Sequence, residues 1–398
     1  MMPENDNDHA DDLKGASQLT IDALTGIAKL VEALHSAILQ TVMPGSNSEK
    51  AGGITGFVYQ TTRFITRSVG SVIDKILSRL QGKVGTIEET AKREAVVAAL
   101  NGVLGDYLES THNELAIKMK LRKAGQALSD NDRTQLRSAP RVLLLIHGLC
   151  MNDHQWERKG HHHGRKLAEE LGFTIVYLYY NTGRHISENG HELDQKLTEL
   201  FFDSSTVQLY ILAHSMGGLV ARSACLAAQR NESSWLRKLR KMVFLGTPHQ
   251  GALLEKSGNW VDKMLDTSPY SAPFSKLGKV RSAGITDMRY GYVKHEDWKG
   301  QDRFASDGNN RSPAPLPEKV ECYAIATIAA GDLPEPIDRH LVGDGLVTVR
   351  SALGKHQKEE LDLNIPPSRC WEGKGISHLG LLNSPAVYKQ IAQWLGRE

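Results

Sequence analysis

Residues 207–221 read VQLYILAHSMGGLVA, and this stretch restricts the possible folds more than any other. The run 207–212 is largely apolar and too short to cross a bilayer, so it reads as a buried strand. Residues 219–228 suit a helix. Between them lie Ala213, His214, Ser215, Met216, Gly217 and Gly218. So sharp a strand-to-helix turn forces Ser215 into strained φ/ψ and demands small residues two positions away. Ala213 and Gly217 meet that demand. The hydroxyl then stands clear of the backbone, and the following helix aims its partial positive charge at the same point. Ser215 is therefore a candidate nucleophile.

The chain on either side keeps a strand–helix rhythm. Residues 141–146, RVLLLI, predict a strand buried on both faces, followed by the turn His147-Gly148-Leu149-Cys150. A helix is expected over 164–171, ended by Gly172, then a strand over 173–179. Asn189, with Glu192 three residues on, is placed to cap a helix running to about 201. Further strands are expected over 241–245 and 321–328, and a last helix over 386–395. Alternation of this kind points to a doubly wound, mainly parallel sheet. Residues 253–319 break the rhythm. Their scattered aromatic and apolar residues, among Pro, Ser and Gly, suit a cap or lid over a site.

Ahead of this lies a different composition. Residues 1–11 are acidic and polar and read as a disordered tail without a secretory signal. Apolar stripes at helical spacing predict helices over 13–42, 54–80 and 88–108, with a weaker one over 113–128. Residues 12–128 are thus expected to form an N-terminal helical bundle, and the polar, proline-ended segment 129–140 a linker to a domain spanning 141–398. The stripe of the second helix, flanked by Arg63 and Arg67, permits contact with a membrane or another apolar surface. The region also bears a compositional resemblance to the phasin-like helices that coat polyester granules.

In 398 residues the formal net charge is only +2, which gives no electrostatic case for nucleic acid. Cys150, Cys225, Cys322 and Cys370 lack metal-ligand spacing; Cys322 and Cys370 could pair in an exported protein. His161, His162 and His163 are consecutive, and consecutive histidines on a helix point apart, so no metal is expected there. No cofactor is expected either. Intracellular residence is the default, with a peripheral membrane role open.

The turn around Ser215, taken with His147-Gly148, Gly246-Thr247-Pro248-His249-Gln250-Gly251, Gly343-Asp344-Gly345 and His378 shortly before the last helix, resembles the α/β-hydrolase superfamily. Within it, the bacterial lipases and esterases with a GHSMGG turn are most similar, together with inositol-deacylase-like hydrolases. One departure is plain: Ala213 stands where the first glycine is usual. The resemblance covers about residues 141–394. It implies an α/β-hydrolase sheet with a cap or lid insertion, preceded here by the helical bundle.

The resemblance also implies a chain order of Ser215, Asp344, His378 for nucleophile, acid and base. Asp332 and Asp338 compete with Asp344, but glycines on both sides of Asp344 let the loop turn its carboxylate inward. The backbone N–H groups of Leu149 and Met216 would hold an oxyanion. His147, Gly148, His214 and His249 are substrate-pocket candidates, His249 lining the rim rather than serving as base. The implied activity is that of a serine carboxylic ester hydrolase, an esterase or lipase, with acyl esters, lipids or polyesters as substrate. A thioesterase or amidase on the same triad is the enzymatic alternative. A non-catalytic binding or scaffold protein that works through the bundle is the alternative of another class.

Overall fold

The computed structural model describes residues 87–202, 204, 207–252, 282–300, 311–330 and 342–396. The expected tail, the helices over 13–42 and 54–80, and much of the expected cap lie outside these residues.

Eight strands form one sheet in the order β2-β1-β4-β3-β5-β6-β7-β8. They are β1 (Lys120–Lys123), β2 (Gln126–Ala127), β3 (Arg141–Ile146), β4 (Thr174–Tyr179), β5 (Gln208–His214), β6 (Leu239–Leu245), β7 (Glu321–Ile328) and β8 (Cys370–Lys374). From β4 to β8 every neighbouring pair is parallel. The antiparallel pairs are those of β1, with β2 on one side and β4 on the other.

Among the described residues, the helices of eight residues or more are α1 (Ile87–Ser110), α2 (Asp130–Ser138), α3 (His163–Leu171), α4 (Ile186–Phe201), α5 (Met216–Arg230), α6 (Ala283–Tyr290) and α7 (Pro385–Gly396). The central strands β3 and β5 are buried beyond their half-buried first residues, Arg141 and Gln208, because helices cover both faces. Alternate residues feed one apolar cluster, where Leu143, Leu145, Leu212 and Val243 of the sheet meet Leu167 of α3 and Ile391 and Trp394 of α7. Among the described residues, no helix is long and apolar enough to cross a membrane.

Three expectations are corrected. Residues 113–128 hold no helix; they carry the β1–β2 hairpin, which adds to the sheet. The polar segment 129–140 is no open linker, for it contains α2. Ser129 Oγ accepts from Asp132 N while the Asp132 carboxylate accepts from Ser129 N, a reciprocal cap that stabilises a helix with few apolar residues. Asn189 caps nothing. α4 begins three residues earlier, and Asn189 is buried inside it, donating from Nδ2 to Asn181 O.

The compact unit that holds the sheet begins at Ala98, inside α1. Asn101 of α1 donates to Leu115 O and accepts from Ile117 N, so this half of the helix is bonded to the chain leading into β1. β8 had no counterpart in the sequence reading. CWEGK has no apolar run, and its pairing with β7 alone defines it.

Candidate active site

The strand order fixes where a site can form. From β3 the chain moves to β4 on one side, then crosses back to β5 on the other, so the loops after β3 and β5 diverge. A crevice at the carboxyl ends of the strands is expected at such a switch point. His147-Gly148-Leu149 follows β3, and Ser215 follows β5.

Ser215 takes φ 54° and ψ −125°, a left-handed conformation unusual for a residue with a side chain. Its amide donates to Leu245 O at 2.9 Å, which pins the turn to the end of β6. The small residues expected around it are needed: a Cβ at Gly217 would lie 2.4 Å from Ile146 O. Ser215 is 1% exposed, and its Oγ has no hydrogen-bond partner among the described residues.

Beside it stands Gly246, at φ 56°. A Cβ there would come within 2.9 Å of Asp344 Oδ2 and 3.2 Å of His378 Cε1. The end of β6 therefore touches the serine turn on one side and the aspartate–histidine pair on the other. His378 Nδ1 and Asp344 Oδ2 are 2.7 Å apart. The other carboxylate oxygen, Oδ1, accepts from Leu346 N at 3.0 Å and Val347 N at 2.9 Å, and His378 N donates to Asp344 O. With Nδ1–H donating to Asp344, His378 Nε2 is left as a bare acceptor, and it has no partner among the described residues. An imidazole so held can take a proton from a neighbouring hydroxyl.

His214 fastens the loop that carries His378. Its Nε2–H donates to His378 O at 3.1 Å, and the two rings lie 4.7 Å apart. Burial, aided by the neighbouring His378, pushes the His214 pKa well below its ordinary value and keeps the ring neutral.

On the β3 side, Gly148 lies against the serine: a Cβ there would be 3.0 Å from Ser215 Cβ. His147 stacks on Tyr180 with ring centroids 4.5 Å apart, and Tyr180 OH donates to His147 O at 2.8 Å. Burial pushes the His147 pKa down to about 4. The Leu149 amide donates to no described acceptor. Met216 is the first residue of α5, where a helix N–H has no intrahelical acceptor. The structure thus brings together Ser215, Asp344, His378, Gly148 and His214, and sets both expected donor residues beside the serine turn.

His249 points elsewhere. Its ring meets Phe244 edge-on at 4.7 Å, and its Nδ1 is 3.4 Å from Arg222 Nη1, beside a cavity whose lining includes neither Ser215, Asp344 nor His378. The three consecutive histidines are structural. His162 accepts from Arg165 N and bonds Tyr177 OH, while His163 takes His161 Nε2 on one nitrogen and donates to Leu381 O from the other. Both rings of the buried pair are thereby used within the protein. All four cysteines are free, and burial drives the Cys150 and Cys322 thiols up to about 12, far from thiolate chemistry. Tyr180 and Arg222 are not singled out in the sequence, and Gly246 enters only as the first residue of the Gly246–Gly251 motif, a glycine closing an apolar strand.

The model of a family described as "Domain of unknown function (DUF7379)" matches residues 116–279. No curated protein matches the sequence. Among solved structures, the chain is similar to the mature lipase BlEst2 of Bacillus licheniformis, at 14% identity and TM-score 0.44, over 70% of this chain and 98% of that one. It is similar to lipase B of Aspergillus fumigatus, at 11% identity and TM-score 0.42, over 96% of this chain and 85% of that one. It is also similar to the RedJ thioesterase of the prodiginine pathway in Streptomyces coelicolor, at 14% identity and TM-score 0.37, over 69% of this chain and 96% of that one. Its own topology identifies the architecture. A mostly parallel eight-stranded sheet, covered by helices and carrying a left-handed serine between β5 and the next helix, is the α/β-hydrolase fold.

Proposed function

We propose that the chain is a serine carboxylester hydrolase that works through an acyl-enzyme, with Ser215 as nucleophile, His378 as general base and acid, and Asp344 as the group that orients the base. One observation supports this above the rest. Asp344 holds His378 by Nδ1 and leaves Nε2 as a bare, buried acceptor, in a ring 4.7 Å from that of His214, the residue before a strained serine whose hydroxyl is also unpartnered.

The serine hydroxyl is too weak an acid to attack an ester unaided. His378 Nε2 takes its proton as Oγ bonds to the carbonyl carbon. Asp344 stabilises the imidazolium and stays ionised. The Leu149 and Met216 N–H groups receive the developing oxyanion; losing one such donor costs about 10²–10³ in kcat. When the tetrahedral intermediate collapses, His378 gives the proton to the leaving alkoxide. Water then enters and bonds through oxygen to the acyl carbon as His378 takes its proton; His378 returns that proton to Ser215 Oγ as the bond to the serine breaks, and the acyl group leaves as a carboxylic acid. No step calls on a metal or an organic cofactor.

The test is hydrolysis of p-nitrophenyl esters of increasing chain length by the wild type and Ser215→Ala. Turnover is expected in the wild type and is expected to fall by about 10⁴-fold or more in the variant. Equal turnover in both would sink the proposal. Parallel assays with acyl-CoA and acyl anilides separate it from a thioesterase or amidase on the same three side chains. A preference for short acyl chains indicates a confined pocket. Activity that rises above the critical micelle concentration indicates an interfacial lipase.

A further inference from the structure

The second half of α1 carries Ala99, Gly102 and Gly105, spaced to share one face of the helix. Glycine inside a helix costs stability relative to alanine, so two of them in successive turns need a reason. The contacts supply one. A Cβ at Gly102 would lie 2.2 Å from Cys150 Sγ and 3.0 Å from Cys150 N and Cα. A Cβ at Gly105 would lie 1.9 Å from Asn181 Oδ1. The helix backbone therefore meets two loops at once, the one after β3 and the one after β4.

Cys150 is held there at φ 59°, a conformation that residues with side chains rarely adopt. Its Sγ–H donates to Ala99 O at 3.7 Å, and its N–H donates to Thr182 Oγ1 at 3.2 Å. Thr182 belongs to the loop after β4, which α1 also grips, for Asn181 Nδ2 donates to Gly105 O at 2.9 Å. α1 in turn is fixed from other sides. Asn101 bonds the chain leading into β1, and Ser282 Oγ donates to Gly102 O at 2.6 Å. Backbone strain persists only where the surroundings over-determine it, and it gathers at functional sites. Cys150 directly follows Leu149. On the other side of Leu149, Gly148 packs against Ser215, and Tyr180 OH holds His147 O.

We infer that the second half of α1 is a positioning element for the proposed oxyanion site, seating Cys150 so that the Leu149 amide stands fixed between anchored neighbours. The inference rests on the role proposed above for the Leu149 N–H. A donor aimed at developing charge is effective because it needs no reorganisation during the reaction. Gly102 and Cys150 act through Leu149 and are not themselves catalytic.

The experiment is a double-mutant cycle on the full chain, read in two ways. Turnover of p-nitrophenyl acetate gives kcat and KM. Labelling with ¹³C-carbonyl glycine and ¹⁵N-leucine isolates the amide resonances of Gly–Leu peptide bonds, and the Leu149 resonance is the one lost in Leu149→Ile. Gly102→Ala drives a methyl group into Cys150. Its kcat is expected to fall about 10²-fold, with KM changed by less than about threefold, and the Leu149 resonance is expected to move. Adding Cys150→Gly removes the Sγ and leaves a residue at ease at positive φ. The double variant is expected to recover kcat by about tenfold or more. Cys150→Gly alone cuts the contact without crowding it. It is expected to move the resonance and lower kcat about tenfold, and it serves if Gly102→Ala does not fold. Unchanged kcat in an active enzyme, or an unmoved Leu149 resonance, would overturn the inference. So would a loss of kcat that the double variant does not relieve. A wild type without Ser215-dependent turnover would instead sink the hydrolytic reading, and the resonance would still decide whether α1 fixes that amide.

Discussion

Among the described residues, two aspartate–histidine pairs are joined by the same kind of bond. In one, His378 Nδ1 lies 2.7 Å from Asp344 Oδ2; in the other, His185 Nδ1 lies 3.0 Å from Asp287 Oδ2. Both carboxylates are buried, and both accept backbone amides as well, Leu346 and Val347 for Asp344 and Ile186 for Asp287. The pairs part company at the far edge of the imidazole. His378 leaves a buried, unpartnered Nε2 beside the serine turn. The His185 ring is covered by Trp298, stacked at 3.5 Å with 4° between the planes, and Trp298 in turn donates to Ser187 Oγ. The second pair therefore clasps α6 and the segment after it to the start of α4. A carboxylate–imidazole bond does not by itself make a base; the surroundings of the other ring nitrogen decide whether the proton has anywhere to go.

The sharpest way to break this contrast is to neutralise each carboxylate. Asp344→Asn is expected to reduce ester turnover by about 10⁴-fold with the fold intact, because the amide selects the wrong tautomer of His378. Asp287→Asn is expected to leave kcat/KM within a few-fold of wild type and to lower Tm instead. Burial holds the Asp287 carboxyl above its ordinary pKa, only partly offset by His185, so this pair contributes through hydrogen bonds more than through charge. Comparable losses of turnover in the two variants would erase the distinction.

Acid is the next probe. Several histidine rings of the protein are buried and neutral. Burial lowers His147 to about 4 and His163 to about 3, and pushes His214 and His249 well below the ordinary histidine range. A histidine whose folded pKa lies below its unfolded value contributes nothing to the pH dependence above about 6.5, where both states are neutral. Below 6.5 the unfolded chain binds the extra proton, so stability falls as pH falls, by up to about 1.4 kcal/mol per unit for each ring. The loss from His147 continues to about pH 4. Chemical denaturation at pH 7 and pH 5 is expected to show a decrease of several kcal/mol. Equal stability at both values would mean that these rings already carry charge in the folded protein.

Much of this was legible in the chain. The strand over Arg141–Ile146, the turn at Ser215 and the strand over Glu321–Ile328 follow from local apolar runs, since a strand buried on both faces must be apolar throughout. Glycines around Asp344 and a histidine near the terminal helix marked the first pair. The second left no trace. His185 belongs to no motif, Asp287 lies 102 residues away inside the expected cap, and nothing local announces a contact made only by folding. The hairpin at β1 and β2 was hidden for a related reason. Its strands, KLRK and QA, hold no apolar run, and pairing with Tyr177, Leu178 and Tyr179 of β4 decides their state.

A smaller perturbation tests the first pair without touching it. At Gly246 an added methyl would meet Leu381 Cδ1 at 2.7 Å, Asp344 Oδ2 at 2.9 Å and His378 Cε1 at 3.2 Å, on a residue already at φ 56°. Gly246→Ala must therefore shift the pair or the end of β6. Turnover is expected to fall about 10²-fold through kcat, the scale set by misplacing a catalytic group by an ångström. Unchanged kcat would show that the pair does not take part in the reaction.

The gentlest test falls on the clasp. His185→Ala removes the imidazole from between Asp287 and Trp298. The carboxylate keeps its bond from Ile186 N but loses the ring donor, and one face of Trp298 loses its stacking partner. A lost hydrogen bond to a charged group together with a lost ring contact comes to about 1–3 kcal/mol. Tm should fall accordingly, while kcat and KM for a short ester should stay where they are. His185→Gln, which can still donate toward Asp287 but cannot stack, should recover part of the loss. A fall in kcat at unchanged Tm would reverse the assignment: the clasp would then act on the site itself, and the two aspartate–histidine pairs would belong to one machine.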